Sequence, residues 1–452
     1  MGKGVYVFFI SLVAAFGGLL FGFDIAIFSG TIPFIQPFYH LNELQLGWTG
    51  SSLYIGCIIG TFLTGYFTDK FGRKYPLMLA ALIFAISCSF MGWSNSYSTL
   101  VIWRIIAGIG VGAASMLSPL YIAEVSPANI RGRMVSINQL TIVIGILLAY
   151  LSNYLLADIE NNWRWMFTSG SIPSLLFLIC VFFVPESPRW LIVKGFETKG
   201  RQILTKLTSV EAAEAEIKEI KETIAGEEKG KFSDLFKKGV RFIVLLGVVI
   251  AVFQQISGAN AVFFYAPIIL EKAGMDVKSQ LFQQILVGIT NLVFTLLAMR
   301  LVDNLGRKKL MLGGSFLMAV WLLFIGLLYH FQIFSGFWLM SLMLLFIATY
   351  ATSLAPVTWV LISEIFPSKV RGKAMSLATG MLWVACFALT FIFPILFGSN
   401  NRPGLLSPLQ SFLLFAGINL LYFIILLKTI PETKGKTLEE IEKEIIKKRS
   451  KS

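Results

Sequence analysis

The chain has 452 residues, of which 56% are hydrophobic and only 14% are charged, compared with about 25% charged residues in ordinary globular domains. More than half of the charged residues lie in two segments, 186–241 and 432–451. The rest of the chain has too few charges to keep a large soluble surface in water. This composition excludes a soluble globular protein and indicates an integral membrane protein.

The totals also exclude several kinds of binding site. The net charge of +13 does not indicate nucleic-acid binding, because the basic residues lie in short loops between apolar segments and not on one folded face. With only two histidines in the chain, no metal site is predicted. The cysteines lie far apart in apolar segments, and we interpret all four as small packing residues: Cys57, Cys88, Cys180 and Cys386.

Twelve segments are long and apolar enough to span a membrane, which takes about 20 residues. The first six cover residues 6–34, 47–67, 75–94, 98–122, 134–157 and 165–184. The second six cover residues 241–270, 281–302, 310–330, 336–362, 374–398 and 408–430. The first segment has no small-residue cleavage site, so we expect it to be a retained span rather than a signal peptide. The predicted fold class is an all-α integral membrane protein.

The segment between the two sets is different in character. Glu and Lys recur at helical spacing within 185–240, which predicts solvated amphipathic helices. We therefore predict an N-terminal six-helix half at 1–184, a cytoplasmic helical linker at 185–240, a C-terminal six-helix half at 241–430 and a cytoplasmic tail at 431–452.

The distribution of Lys and Arg predicts the orientation. With the N-terminus in the cytoplasm, Arg104 lies within the membrane and only Arg164, Lys272, Lys278 and Arg402 lie outside. All other basic residues are then cytoplasmic, as the positive-inside rule requires. Both termini are expected in the cytoplasm.

Three local patterns of the first half return in the second half at a nearly constant offset. The Asp-x-x-Gly-Arg-Lys sequence of residues 69–74 returns at 303–308, and the Glu-x-x-Pro-x-x-x-Arg-Gly sequence of 124–132 returns at 364–372. The Pro-Glu-Ser-Pro sequence of 185–188 is echoed by Pro-Glu-Thr-Lys at 431–434. Because six spans separate the copies, the halves share one orientation. This arrangement is typical of transporters that rock two halves around a site at the membrane midplane.

These motifs, together with Phe-Gln-Gln-Ile-Ser-Gly-Ala-Asn at 253–260, resemble those of the sugar porter family of the major facilitator superfamily. The resemblance extends over nearly the whole chain and is strongest to bacterial D-xylose–proton symporters. It implies the major facilitator fold, with twelve transmembrane helices in two parallel six-helix halves and a cytoplasmic helical loop.

Only two charged residues lie well inside predicted spans. Asp24 is late in the first span, which runs outward, and Arg104 is early in the fourth, which runs inward, so they lie at matching depths. A charge at such a depth is costly and is usually paired and functional. The pair is either a fixed clamp between two helices or the proton-coupling site, in which separating Arg104 from Asp24 would favour protonation of Asp24. The resemblance favours coupling, because proton-coupled members carry Asp at this point.

Side-chain amides cluster in the seventh span, where Gln254 and Gln255 precede Asn260 and a glycine and a proline predict a broken helix. An amide both donates and accepts hydrogen bonds, which suits sugar hydroxyls, although such residues also join helices in membranes. The resemblance places the family's sugar contacts on Gln139, Gln254, Gln255, Asn260, Asn291 and Trp359, with Trp383 and Phe21 lining the cavity.

The chain departs from the pattern of the xylose symporters at four positions. Ile146 and Leu382 stand where those proteins have Gln, Phe264 replaces a Tyr, and Ala355 replaces a Gly. Each change removes a hydrogen-bonding group or adds bulk, and sites built to bond hydroxyls discriminate strongly. The identity of the sugar therefore stays open.

The repeated loops predict two clusters of opposed charges at the cytoplasmic helix ends. The resemblance implies that these clusters hold an inner gate shut, whereas membrane anchoring alone would explain the basic residues but not the repeated acids. The first cluster contains Asp69, Arg73, Glu124, Arg131, Glu186 and Arg189, and the second contains Asp303, Arg307, Glu364, Arg371 and Glu432.

The sequence thus predicts a proton-coupled monosaccharide symporter in the plasma membrane of a prokaryote, working by alternating access. Its partners are a small neutral sugar, protons and the lipid bilayer, and a monomer is expected to suffice. No cofactor, metal or catalytic residue is predicted, since no Walker loop or nucleophile–base arrangement is present. The glycines between Gly108 and Gly112 resemble a nucleotide-binding loop, but they lie inside a span with no preceding strand, and their four-residue spacing predicts close helix packing. The alternatives are a facilitative sugar uniporter and, as a different class, a non-transporting sugar receptor. A drug exporter is disfavoured by the amide-rich cavity.

Overall fold

The structure is a computed structural model that describes residues 2–127, 130–226, 232–237, 240–333, 336–366, 370–398, 403–430 and 432–433. Within these ranges it is helical, and the only β pairing is an isolated bridge between Gly398 and Pro403. Twelve helical segments of the described chain are long and apolar enough to cross a membrane. The predicted number of spans is confirmed.

The first six spans are each a few residues longer than, or close to, the predicted segments. The sixth span consists of two helices in succession, because the helix is interrupted at Gly170. The helices are α1 Lys3–Phe38, α2 Glu43–Phe71, α3 Lys74–Gly92, α4 Tyr97–Val125, α5 Arg131–Leu156, α6 Asn162–Ser169 and α7 Ser171–Phe183.

The linker forms three short helices with a small apolar core of their own. They are α8 Pro188–Val193, α9 Glu197–Leu207 and α10 Val210–Gly226, followed by a 3-10 turn at Phe232–Phe236. Ser187 caps α8 by accepting a hydrogen bond from the Trp190 backbone N–H at 3.2 Å, and Pro188 occupies the first turn, where its missing N–H is not needed. Apolar side chains at helical spacing meet in the core: Ile192, Leu204, Ala213, Ile217 and Ile220. The predicted amphipathic helices are confirmed.

The second six spans include two broken ones. The seventh consists of α11 Val240–Ile256 and α12 Ala259–Lys272, and the tenth of α15 Gly336–Thr352 and α16 Leu354–Ile365. The others are α13 Val277–Leu305, α14 Arg307–His330, α17 Arg371–Phe397 and α18 Pro408–Thr429. Of the predicted tail, only Glu432 and Thr433 lie among the described residues.

The chain divides into two compact units that do not coincide with the simple halves. One unit contains Met1–Thr31 and Ser52–Glu228, and the other contains Ile32–Ser51 and Lys229–Ser452. In the second unit the ring of Trp48, near the start of α2, lies edge-on to Phe387 and Phe391 of α17, with centroids 6.1 and 6.2 Å away. The end of α1 and the start of α2 therefore pack with the second unit.

Glycines let α2 and α4 approach closely in the first unit. A Cβ added to Gly108 would collide with the Leu53 carbonyl, and one added to Gly112 would collide with the Cys57 carbonyl. Backbones come this close in membranes where small residues recur every four positions. The glycine repeat of α4 is therefore a packing surface, as predicted.

Candidate functional site

The first unit contains a buried acid–base pair. Asp24 of α1 and Arg104 of α4 are 1% and 0% exposed, and Arg104 Nη2 lies 3.6 Å from Asp24 Oδ2. The guanidinium also stacks over the Phe28 ring, with Cζ 4.4 Å from the centroid. The two charges therefore neutralise each other away from solvent, and the ring gives the cation a further contact if the carboxylate is lost.

The seventh span breaks between two of the predicted sugar residues. Gly258 has φ 96°, a conformation that favours glycine, and separates α11 from α12. Asn419 of α18 donates to the Ser257 carbonyl at 2.7 Å, which satisfies one backbone group freed by the break. A second irregularity at Tyr265, with φ −122° and ψ 20°, precedes Pro267. The break predicted from the glycine and the proline is confirmed.

Because of this break, the three amides of the seventh span come together in the second unit. Gln255 Nε2 donates to Gln254 Oε1 at 2.6 Å, and Asn260 Nδ2 donates to Gln255 Oε1. All three side chains are buried, at 4%, 8% and 8% exposure. They form a compact polar cluster that can exchange its internal hydrogen bonds for bonds to a hydroxylated ligand.

Two residues of this amide cluster were not among the predicted site residues. Tyr350 of α15 accepts a hydrogen bond from Gln254 Nε2 at 3.2 Å. Cys386 of α17 donates from Sγ to Gln255 Oε1 at 2.9 Å and accepts from Asn260 Nδ2 at 3.4 Å. Cys386 is thus more than the packing residue that we expected. Its position one turn after Trp383 was the available sequence signal.

The remaining predicted sugar residues are distributed over both units. Asn291 of α13 and Trp383 of α17 are buried in the second unit, whereas Trp359 of α16 is 36% exposed. Gln139 of α5 and Phe21 of α1 belong to the first unit and are half-buried. The four departures from the xylose-symporter pattern are all buried: Ile146, Phe264, Ala355 and Leu382.

The predicted cytoplasmic cluster of the first half is built around Arg73. Its guanidinium donates to both oxygens of Glu124, from Nε and Nη2, at 2.8 Å each. Glu186 accepts from the backbone N–H groups of Arg73 at 2.8 Å, Lys74 at 3.2 Å and Ser187 at 2.7 Å. A carboxylate there stabilises the N-terminus of α3. Burial raises the pKa of the Glu186 carboxyl, and these N–H donors oppose that rise.

The second half repeats this arrangement with its own residues. Arg307 Nη2 donates to Glu364 at 3.1 Å. Glu432 accepts from the backbone N–H groups of Arg307 at 2.9 Å and Lys308 at 3.1 Å, at the start of α14. The Thr433 hydroxyl donates to Glu364 at 2.6 Å, which joins the two acids into one network.

The other predicted gate residues have different partners. Arg131 lies 3.5 Å from Glu216 of α10, and burial raises the pKa of that carboxyl while Arg131 opposes the rise. Arg371 donates from Nε to the Phe366 carbonyl at 3.3 Å. Asp69 and Arg189 are exposed, although the Asp69 carbonyl accepts from Trp190 Nε1 at 3.2 Å. The side chain of Asp303 lies outside the described residues.

Comparison with known proteins decides the family. A family model described as "Sugar (and other) transporter" matches residues 10–445. The chain belongs to this family. It is a transporter with the major facilitator fold, and not an enzyme.

Two relatives and one solved structure match almost the whole transporter. It is 39% identical to the arabinose-proton symporter of Bacillus subtilis (strain 168), over 98% of this chain and 96% of the relative. It is 40% identical to the D-xylose-proton symporter of Escherichia coli (strain K12), over 97% and 95%. The partially occluded inward open conformation of the xylose transporter XylE from E. coli superimposes with a TM-score of 0.84 at 37% identity, covering 96% of this chain and 100% of that one. The sequence resemblance to the sugar porters is confirmed.

Proposed function

We propose that this sugar transporter is a proton-coupled monosaccharide symporter that works by alternating access. The observation that carries the proposal is the Asp24–Arg104 pair, a carboxylate and a guanidinium 3.6 Å apart and removed from water. Burying an ion pair seldom adds net stability compared with apolar residues. A pair kept at this cost is well suited to a task that needs a titrating acid.

Coupling follows if movement of α1 against α4 separates the two charges. An isolated buried carboxylate is strongly disfavoured, so Asp24 would take a proton when Arg104 moves away and release it when the pair re-forms. If sugar binding and this separation favour the same conformation, proton and sugar cross together. The two relatives described above carry the word symporter in their names, which supports the proposal.

The amide cluster of Gln254, Gln255 and Asn260 is the proposed sugar site. Its side chains are buried and bonded chiefly to one another and to Tyr350 and Cys386, so bonds to sugar hydroxyls can replace internal ones. Following the family resemblance, Gln139, Asn291, Trp359, Trp383 and Phe21 are proposed as further contacts. The cluster has no ionised member, which suits a neutral monosaccharide, either hexose or pentose.

The charge clusters at the helix ends are the proposed inner gate. Each contains an Arg–Glu pair and a second glutamate on backbone N–H groups, within its own half. The paired side chains are mostly buried, at 13% and 6% exposure for Arg73 and Glu124 and at 15% and 24% for Arg307 and Glu364. We propose that both pairs break and re-form in every cycle. The proposed setting is the plasma membrane of a prokaryote, with both termini cytoplasmic and the monomer as the working unit.

Uptake into proteoliposomes tests coupling. With an inward proton gradient, the wild type should accumulate one or more of D-xylose, L-arabinose, D-glucose and D-galactose above equilibrium. Asp24→Asn should lose accumulation but keep exchange of labelled for unlabelled sugar, because the neutral amide cannot release a proton. Asp158→Asn, which changes an exposed carboxyl outside the helices, is the matched control.

Three outcomes would contradict the proposed proton-coupled symporter. If Asp24→Asn accumulates as much sugar as the wild type, the Asp24–Arg104 pair is a structural clamp and not the coupling site. Wild-type uptake that only equilibrates, with no external alkalinisation, would identify a facilitative uniporter. Sugar binding without any flux would identify a receptor.

A further inference from the structure

One face of α17 lies against the broken seventh span. Trp383, Cys386 and Thr390 follow one another at intervals of three and four residues, so they share this face of the helix. They are buried, at 4%, 2% and 1% exposure. The Thr390 carbonyl accepts from the Tyr265 hydroxyl of α12 at 2.6 Å, which fixes this face towards α12.

The Cys386 thiol completes the hydrogen-bonded amide cluster. Gln255 Oε1 accepts from both Cys386 Sγ, at 2.9 Å, and Asn260 Nδ2, while Asn260 Nδ2 also reaches Cys386 Sγ at 3.4 Å. The thiol therefore helps to fix which way the Gln255 amide faces, together with Asn260 on the amide oxygen and Gln254, 2.6 Å away, on the amide nitrogen. A thiol is a weak donor and a weak acceptor, so a ligand hydroxyl can displace it from Gln255.

A second observation on the same face indicates a ligand. The Thr390 hydroxyl is buried and has no hydrogen-bond partner in the described part of the chain. A buried hydroxyl without a partner is unfavourable, and a helical threonine usually bonds the carbonyl one turn before it. Among the described residues, that local bond is not made. The hydroxyl one turn from Cys386 is thus available to a polar ligand.

We propose that Cys386 is a specificity-determining residue of the sugar site, which positions the amides of Gln255 and Asn260 and acts together with the Thr390 hydroxyl. The inference rests on the proposed function, since it takes the amide cluster to bind a neutral sugar. The physical basis is that the thiol holds the cluster in a binding-competent arrangement with bonds weak enough to be exchanged for sugar hydroxyls. The pattern of hydroxyls that fit this arrangement then decides which sugar is preferred.

Uptake kinetics of three variants test the positioning role. Cys386→Ala should raise the KM for the preferred sugar about fivefold, because the Gln255 amide loses the hydrogen bond that holds it in the binding-competent orientation. The relative KM values for D-xylose, L-arabinose, D-glucose and D-galactose should change as well, while Vmax per folded transporter stays similar. Cys386→Ser, which keeps a donor of similar size, should restore the KM. Cys57→Ala, a buried cysteine of α2 in the first unit, is the matched control and should leave every KM unchanged.

A labelling experiment keeps the inference testable if Cys386→Ala does not fold. In a variant whose only cysteine is Cys386, methyl methanethiosulfonate should block transport, and the preferred sugar should slow this inactivation. The same reagent should not block Cys386→Ser that also lacks the other three cysteines.

The outcomes separate this inference from the proposed function. Unchanged KM ratios in Cys386→Ala, or inactivation that no transported sugar slows, would overturn the role of Cys386. A fall in protein yield and Vmax that is equal for all sugars would assign the thiol to packing and would overturn it as well. If the wild type transports none of the four sugars, this result contradicts the proposed function itself and not the role of Cys386 alone.

Discussion

Gly72 and Gly306 have the same φ, 87°, and each lies against the carboxylate of a glutamate that follows the last span of its own half. A Cβ on Gly72 would collide with Glu186, and a Cβ on Gly306 would collide with Glu432. The two loops are therefore equivalent in detail: a glycine turn lets the following helix start directly on a carboxylate.

Replacing either glycine by alanine should destabilise the transporter. The left-handed conformation costs a residue with a Cβ about 1–2 kcal/mol, and the collision with the glutamate adds to this. Gly72→Ala and Gly306→Ala should each lower the Tm of the purified transporter, measured by thermal unfolding in detergent. Gly65→Ala in α2, where a Cβ meets no atom within 4 Å, should leave the Tm unchanged or raise it. Equal Tm values for all three variants would contradict the interpretation.

The Asp24–Arg104 pair should behave as a coupled unit in stability as well as in transport. Arg104→Gln leaves the Asp24 carboxylate buried without its counter-ion, and breaking a buried pair in this way costs about 3–5 kcal/mol. The double variant Asp24→Asn with Arg104→Gln removes both charges and should recover most of the lost Tm, although it should not accumulate sugar. Additive losses in this double-mutant cycle would mean that the two charges do not interact.

The Tyr350 hydroxyl should contribute to sugar affinity through Gln254. Tyr350→Phe removes the acceptor of the 3.2 Å bond from Gln254 Nε2 and should raise the KM for sugar about fivefold, as expected for one hydrogen bond. Tyr422→Phe is the control, since its hydroxyl bonds the Ile250 carbonyl at 3.4 Å instead. A KM increase in the control equal to that of Tyr350→Phe would show that both changes act through general packing.

Glu186 should give the stability of the first half a particular pH dependence. Burial raises the pKa of its carboxyl, so around that pKa the folded state binds more protons than the unfolded state. Its contribution to stability is therefore present at low pH and is lost as the pH rises through the raised pKa. The wild type should gain Tm relative to Glu186→Gln as the pH falls from about 7.5 through the raised pKa towards the ordinary glutamate pKa of 4.5.

The control for this experiment is Glu222→Gln, because Glu222 is exposed and lies 3.9 Å from Lys218. The difference in Tm between this variant and the wild type should stay nearly constant over the same pH range. A Glu186→Gln difference that is equally constant would contradict the assigned effect of burial.

Much of the architecture follows from local sequence. The spans could be predicted because an apolar segment long enough to cross a membrane is stable within the bilayer and not in water. The break at Gly258 could be predicted because glycine takes the left-handed conformation there. Asp24 and Arg104 could be paired because the direction of each span fixes the depth of its residues. These inferences need only the length, polarity and direction of single helices.

The partners of individual polar groups were decided by the tertiary structure alone. From the sequence we interpreted Cys386 as a packing residue, yet its thiol donates a hydrogen bond to Gln255, which lies 131 positions away. Glu186 was expected to join a gate of side chains, and its carboxylate lies on the backbone N–H groups of Arg73 and Lys74. Depth and polarity are properties of one helix, whereas the meeting of two polar atoms depends on the rotation, tilt and breaks of two helices at once. For this reason a twelve-span sugar transporter can be predicted from the chain, whereas the groups that its amides contact follow from how the helices pack.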